Sequence, residues 1–406
     1  MTKRSLTALT LGLVVMLSAH AMHAQQPVDA PPTVVEPQEP GGGSDDGYVE
    51  RTRRWAKNAQ VFERLSGSTD GWYPRFGGMT RGSGLTIGPG YRTHVFNDQV
   101  LVDLSAAIST KAYKAADAKV RWVQAVDKRF ELWTDARYEV FPQEDFFGRG
   151  PDSSLAAQTS YDQDTADFAV RSLFKVWPSV RVGVVAGYMM PRIGQGKDRQ
   201  FPSIERFFTD AEAAGLLDQP NFIHSTFFVE LDSRDAPGRP ASGGFYRVSY
   251  GMWDDHKLDR YDFHRFDVEA THYLPLTASK AHVLSGRVGT SSVNNATGHR
   301  VPFYFLPYVG GVDTIRSFRE YRFQDENALW LGAEYLWTPV TFMSLAAFVD
   351  AGQVRAQWQD LGFKGLERGY GFGFRVHSRT QTFARFDVGT GGGEGWRMFL
   401  RLGPSF

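Results

Sequence analysis

Few constellations in these 406 residues could perform covalent chemistry. Glu230 with Asp232, and Asp254 with Asp255, offer paired carboxylates of the kind acid–base work requires. His256, His264, His272 and His282 are scattered over several segments without ligand spacing, so no metal is expected. "GSGLTIG" (82–88) resembles a phosphate loop in glycine content, but it lies in a strand-like run. No G-x-S-x-G elbow, H-E-x-x-H pair or P-loop occurs, so neither an enzyme nor a cofactor is expected. A different chemistry is offered by "GGVDTIRSFREYRF" (310–323), where Gly310 and Gly311 precede Arg316 and Phe318. Paired glycines let a backbone turn sharply. A guanidinium in a partly desolvated place needs a carboxylate, and its planar fork can take two.

The elements that would position these groups are strands. In "RFELWTDARYEVF", Phe130, Leu132, Ala136, Tyr138 and Val140 alternate with Arg129, Glu131, Asp135, Arg137 and Glu139. That is period two over more than ten residues, with one charged face and one face suited to hydrocarbon. "RFDVEATHYLPL" repeats it with Phe266, Val268 and Ala270 against Arg265, Asp267 and Glu269. "NALWLGAEYLW" sets Leu329, Leu331, Ala333 and Tyr335 against Trp330, Gly332 and Glu334. "GYGFGFRVHS" and "FARFDVGT" continue the series. Glu230 and Asp232 share one face with Phe228, as water-facing lumen residues would.

Composition bounds the setting. Charges balance at 45 basic to 45 acidic, which argues against a nucleic-acid partner. There is no Cys, which suits an oxidising compartment and excludes a lipid-modified amino terminus. Lys3 and Arg4 followed by "LTALTLGLVVMLSA" and "AHAMHA" predict a signal peptide over residues 1–24, cleaved after Ala21 or Ala24. Beyond it no apolar run is long enough for a helical span. Residues 25–47, rich in Pro, Gly and acid, read as a flexible linker. Residues 48–66 carry Trp55, Ala59 and Phe62 at helical spacing. That fits one short amphipathic helix resting on a barrel's periplasmic mouth, with a plug inside the lumen as the other placement.

The last strand, "GWRMFLRLGPSF", puts Trp396, Met398, Leu400 and Leu402 on one face and ends on Phe406 in the same parity. Residues 70–406 are therefore expected to form an all-β, antiparallel transmembrane barrel. Roughly ten residues per strand plus turns gives 14 to 16 strands, and sixteen is the preferred even number. No unpaired edge can face lipid, which favours closure over an open sheet.

The order "GGVDTIRSFREYRF", "LGAEYLW", "SLAAFVDAGQV" and a carboxy-terminal strand ending in Phe resembles the BamA/TamA family, the bacterial surface antigens. "FFGRGPDS" (146–153) and "LDSRDAPGRPASGGFY" (231–246) look like inter-strand segments of that family. The resemblance covers residues 72–406 and implies a bacterial outer-membrane location. It also implies a sixth extracellular loop folded into the lumen, with Arg316 meeting Glu334 and Asp350 and with Phe318 as its aromatic neighbour. Glu334 has lumen parity on the alternation alone. Met398, Leu400, Leu402 and Phe406 correspond to the carboxy-terminal barrel signal, from which Pro404 departs. Ser317 stands where the family has glycine, and a positive φ there would be strained.

The implied function is assistance in outer-membrane protein assembly, or translocation through a gated lumen. The chain has little room before the barrel for the family's periplasmic POTRA domains, which weakens the general insertase expectation. The alternative is a passive channel or surface protein whose loops 191–220 and 355–368 bind something outside. Expected partners are outer-membrane lipid and the assembly machinery that inserts the barrel itself, with the chain acting as a monomer. Any protein client is left open.

Overall fold

The structure is a computed structural model that describes residues 70–77, 79, 83–125, 129–378 and 381–402. The expected signal peptide, linker and helix (1–66), and Phe406, lie outside the described residues. Eighteen strands follow in order: β1 (Gly71–Gly77), β2 (Thr86–Val95), β3 (Val100–Ser109), β4 (Lys114–Ala125), β5 (Phe130–Phe146), β6 (Thr159–Trp177), β7 (Val180–Gln195), β8 (Phe222–Asp232), β9 (Gly243–Asp255), β10 (Phe263–Pro275), β11 (His282–Asn295), β12 (Tyr308–Val309), β13 (Phe323–Gln324), β14 (Asn327–Val340), β15 (Met343–Arg355), β16 (Glu367–His377), β17 (Thr382–Thr390) and β18 (Trp396–Leu402). β12 and β13 pair with each other. The other sixteen form one antiparallel sheet in chain order, which meets the expected strand number. Within it β11 pairs with β14, so the segment 296–326 is a single long connection.

The sheet wraps into a barrel that brings β1 and β18 close together. Among the described residues no backbone ladder joins that seam. The wall is uneven: β5, β6 and β7 run for 17, 19 and 16 residues, whereas β1 and β18 have seven each.

Alternation does what period two requires. Tyr138, Phe168, Phe227, Val349, Phe372, Met398 and Leu400 are exposed on the outer face, where lipid replaces water. The inner face carries charges in cross-strand rows, such as Arg181 opposite Glu230 on β8 and Glu230 opposite Arg247 on β9.

The two ends differ. At one end most connections are turns of two to six residues, such as 178–179 and 341–342. At the other, loops 147–158, 196–221, 296–326 and 356–366 are long. Short periplasmic turns and long extracellular loops are the rule for outer-membrane barrels. Loops 196–221 and 296–326 pack into an apolar cluster, with Ile204, Ala213, Leu216 and Phe303 fully or almost fully buried against Phe146, Tyr161, Phe222 and Phe263. Phe303 lies edge-on to both Phe146 and Tyr161, at 5.1 and 4.9 Å between ring centres. Loop 196–221 is thus folded inward over part of its length, while Trp358 and Phe363 of loop 356–366 remain exposed.

One connection at the short-turn end breaks the pattern. Residues 233–242 form a strap that leaves β8 and returns in β9. Its Gly238 carbonyl accepts the Thr382 amide of β17 at 3.0 Å. β17 is the sixth strand round the wall from β9, after β10, β11, β14, β15 and β16. The strap therefore crosses part of the mouth. Its shape is held by Asp235, whose carboxylate accepts the amides of Ala241 (2.9 Å) and Ser242 (3.1 Å) and the Lys280 ammonium (2.9 Å).

Candidate functional site: the lumen loop and its ion network

Loop 296–326 enters the barrel because its middle can turn tightly and its tip is matched by the wall. Gly310 and Gly311 have φ of +121° and +86°, in the region that glycine adopts freely. A Cβ on Gly310 would collide with the Arg319 carbonyl. The Thr314 hydroxyl closes the turn, accepting the Gly310 amide and donating to the Gly310 carbonyl, both at 2.8 Å. The Gly311 amide donates to the Phe318 carbonyl at 3.1 Å. Val309, Ile315, Phe318 and Phe323 then bury together against Ala328 and Val354 of the wall. Phe318 lies edge-on to Phe323 and fills the space above Gly392, where a Cβ would strike its ring.

Arg316 sits at the tip and is 1% exposed. Its Nε and Nη2 donate to the two Asp350 oxygens at 2.7 and 2.9 Å, a bidentate fork, and its backbone amide adds a third bond at 3.2 Å. Nη1 donates to Glu334. The guanidinium lies 3.4 Å from the centre of the Phe348 ring, so its face is covered as well as its edge. Arg316, Phe318, Glu334 and Asp350 are thus brought to one place.

The network is larger than the sequence suggested. Asp387 on β17 lies 4.0 Å from Arg316, accepts from Arg385 (2.6 Å) and forms an ion pair with Arg375 (2.8 Å). Arg375 and Arg385 also reach Glu334, at 3.0 and 3.5 Å. Arg287 on β11 donates to Asp350 at 2.9 Å and to the loop carbonyls of Asp313 (2.8 Å) and Thr314 (2.6 Å). Four guanidiniums therefore share three carboxylates. The alternation had placed Arg375, Arg385 and Asp387 on polar faces, but nothing local says that they converge on Arg316. Arg287 carried no such signal.

A second tether joins the loop to the segment 147–158. Arg149 pairs with Asp325 (3.2 Å) and Glu326 (2.9 Å), and Gly150 donates its amide to the Gln324 carbonyl at 2.8 Å. Arg322 donates to Glu394 and to the Ser153 hydroxyl, at 2.5 and 3.0 Å.

The strain expected at Ser317 is absent. Ser317 is not among the residues with positive φ, whereas Tyr321 is, at +55°. Its side chain is fully buried against Gly369 of β16, where a Cβ would strike the serine. Among the described residues the Ser317 hydroxyl has no hydrogen-bond partner.

Between network and strap lies a cavity of about 1160 Å³, lined on one side by Arg316, Glu334, Arg375 and Arg385 and on the other by Arg234, Arg239 and Lys280. Glu230 and Asp232, the candidate acid pair, are engaged by Arg181, Arg234 and Arg247 instead of facing each other as acid and base. Among the described residues, Asp259, Asp262 and His299 bring ligand-type atoms within 4.8 Å of one another. His299 Nδ1 there accepts the Asp262 amide, so the trio acts as a clasp between two loops. Met398 and Leu400 face outward on β18, and Leu402 pairs through its backbone with Ala384.

The Omp85 superfamily domain matches residues 103–396. Among solved structures, the barrel is similar to BamA from Haemophilus ducreyi lacking POTRA domains 1–3, at 15% identity and a TM-score of 0.60. That likeness covers 82% of this chain and 69% of the other. CdiB from Escherichia coli is similar at 10% identity and a TM-score of 0.55, and CdiB from Acinetobacter baumannii at 12% and 0.50. Each likeness to CdiB covers 82% of this chain but only 62% and 59% of the longer CdiB chains, respectively. With the family domain over most of its length and an outer-membrane barrel as its fold, this chain belongs to the Omp85 superfamily.

Proposed function

We propose that this chain is a gated outer-membrane barrel that assists protein assembly in, or protein passage across, the bacterial outer membrane. The observation that carries the reading is the loop 296–326, drawn into the lumen and fixed there by Arg316. A polypeptide-sized path is blocked while that loop stays in place, and the ion network is a catch with two alternative states, engaged or released. The seam between β1 and β18 is the second movable part, because no backbone ladder joins it among the described residues, unlike every other neighbouring pair of the wall. In this reading Arg316, Glu334 and Asp350 form the catch, Phe318 seats it, and Gly310 and Gly311 are its hinge. Their role is electrostatic and mechanical, and the chain performs no covalent chemistry. The signal peptide delivers the chain to the periplasm of a Gram-negative cell, and the barrel then works among outer-membrane lipids as a monomer.

Depletion of the protein, followed by a census of outer-membrane proteins, tests the reading. Loss of a defined subset of barrels or surface proteins is expected, and an unchanged census overturns it. Planar-bilayer recordings separate it from a passive channel: small flickering currents are expected, and large steady open steps would favour the pore.

A further inference from the structure

The strap end of the chamber holds a cation that no carboxylate neutralises among the described residues. Arg239, half-buried on the strap, lines the cavity. Its backbone is fixed on both sides, by its own amide on the Ala236 carbonyl (2.9 Å) and by the Gly238 bond to β17. No carboxylate bonds its guanidinium among the described residues. Burial pushes its pKa down, with no acidic neighbour raising it. The acids nearby are committed: Asp235 to Lys280 and the strap amides, Glu230 and Asp232 to three arginines, and Glu334 and Asp387 to the network. Glu269 also lines the chamber, and there its register partner is Arg247.

Beside Arg239 stands a chain of neutral donors. Thr338 bonds the Ser344 hydroxyl at 2.7 Å, Ser344 bonds His377 Nε2 at 2.7 Å, and His377 Nδ1 bonds the Thr382 hydroxyl at 3.0 Å. Thr382 also donates the amide that holds the strap, which places this chain next to Arg239. All four residues line the same cavity. Three hydroxyls and a neutral imidazole carry four polar hydrogens, and the three bonds between them use three. One hydrogen is left to be donated at an end of the chain, and none of its members bonds a carboxylate.

A half-desolvated guanidinium and a spare hydroxyl proton have one complement in common, a multi-oxygen anion. We propose that the strap end of the lumen is a binding site for a phosphate group, with Arg239 as its principal cation and the Thr338–Ser344–His377–Thr382 chain supplying a neutral donor. A guanidinium fork engages two oxygens of a tetrahedral phosphate and leaves others for the hydroxyl, whereas a carboxylate has only the two. The phosphate is either a free ion or part of a lipid headgroup.

Isothermal titration of the purified full-length barrel, with inorganic phosphate in one arm and short-chain phosphatidylglycerol in the other, distinguishes the two sources. Saturable binding in either arm is expected, weakened about tenfold or more in Arg239→Gln, as loss of a charged hydrogen bond implies. Arg239→Lys should retain more of the affinity than Arg239→Gln, and Thr382→Val should lose about threefold to tenfold by removing one neutral donor. A shift in gel migration on boiling establishes that each variant is folded. The proposal is overturned if neither probe binds the folded wild type, or if folded Arg239→Gln binds as tightly as the wild type.

Discussion

The two mouths of this barrel are closed by different forces. At the long-loop end, aromatic and aliphatic side chains from three connections meet strand ends in a dry cluster, with Phe303 wedged between Phe146 and Tyr161. At the short-turn end, ten residues of strap cross part of the opening on one backbone bond to β17 and one exposed ion pair. Apolar burial is insensitive to salt and costly to undo, whereas an exposed pair contributes little and is screened. The first mouth is costly to open and the second yields easily. The ion network between them is an intermediate case, because its charges are buried and its bonds are numerous.

Variants in each region test that ordering. Phe303→Ala should have the largest effect, costing about 3–5 kcal/mol and loosening the long-loop end. Urea unfolding in detergent together with bilayer conductance would register both changes. Arg316→Ala comes next, at about 2–4 kcal/mol, since it removes the bidentate fork on Asp350. The three carboxylates keep three other guanidiniums, which is why a larger loss is not expected. Its currents should be noisier than those of the wild type, and identical currents would remove the catch from the proposal.

Asp235→Asn should cost less than about 1 kcal/mol in global stability and yet raise conductance by freeing the strap. Acid should do the same with the wild type. Burial alone would raise the Asp235 pKa, but the amides of Ala241 and Ser242 and the Lys280 ammonium outweigh it and lower the value. A depressed carboxylate contributes stability that is complete above its unfolded value of about 4 and is lost as pH falls through the lower folded value. Conductance should therefore be steady from neutral pH down to about 4 and rise only below it. A rise near pH 6 would implicate another group. Ser317→Ala should have the smallest effect, within about 0.5 kcal/mol of wild type or stabilising, because the buried hydroxyl it removes has no partner among the described residues.

Legibility followed the range of the interaction. Strand alternation is local, so the faces of "RFELWTDARYEVF" and "NALWLGAEYLW" could be read directly, and the strand number followed from length. Glu334 was legible by parity, and Asp350 only through resemblance to a family. Asp387 and Arg287 were not legible as partners of the loop, because a lumen joins strands that are far apart in sequence. The Arg149–Asp325 tether, 176 residues apart, is the clearest case. The strap segment was visible as "LDSRDAPGRPASGGFY", but its reach to Thr382 depends on barrel curvature, which no local pattern encodes. The concern over Ser317 came from assuming that the tip needs a left-handed residue at that position. The turn instead uses Gly310 and Gly311, and β16 yields space through Gly369.

An even number of antiparallel strands has a topological consequence for labelling. The start of β1 at Gly71 and the end of β18 at Leu402 emerge at the same mouth as the strap. Epitopes attached upstream of Gly71 or downstream of Leu402 would then be shielded together from protease added to intact cells. An epitope inserted near Phe363 would be shaved off.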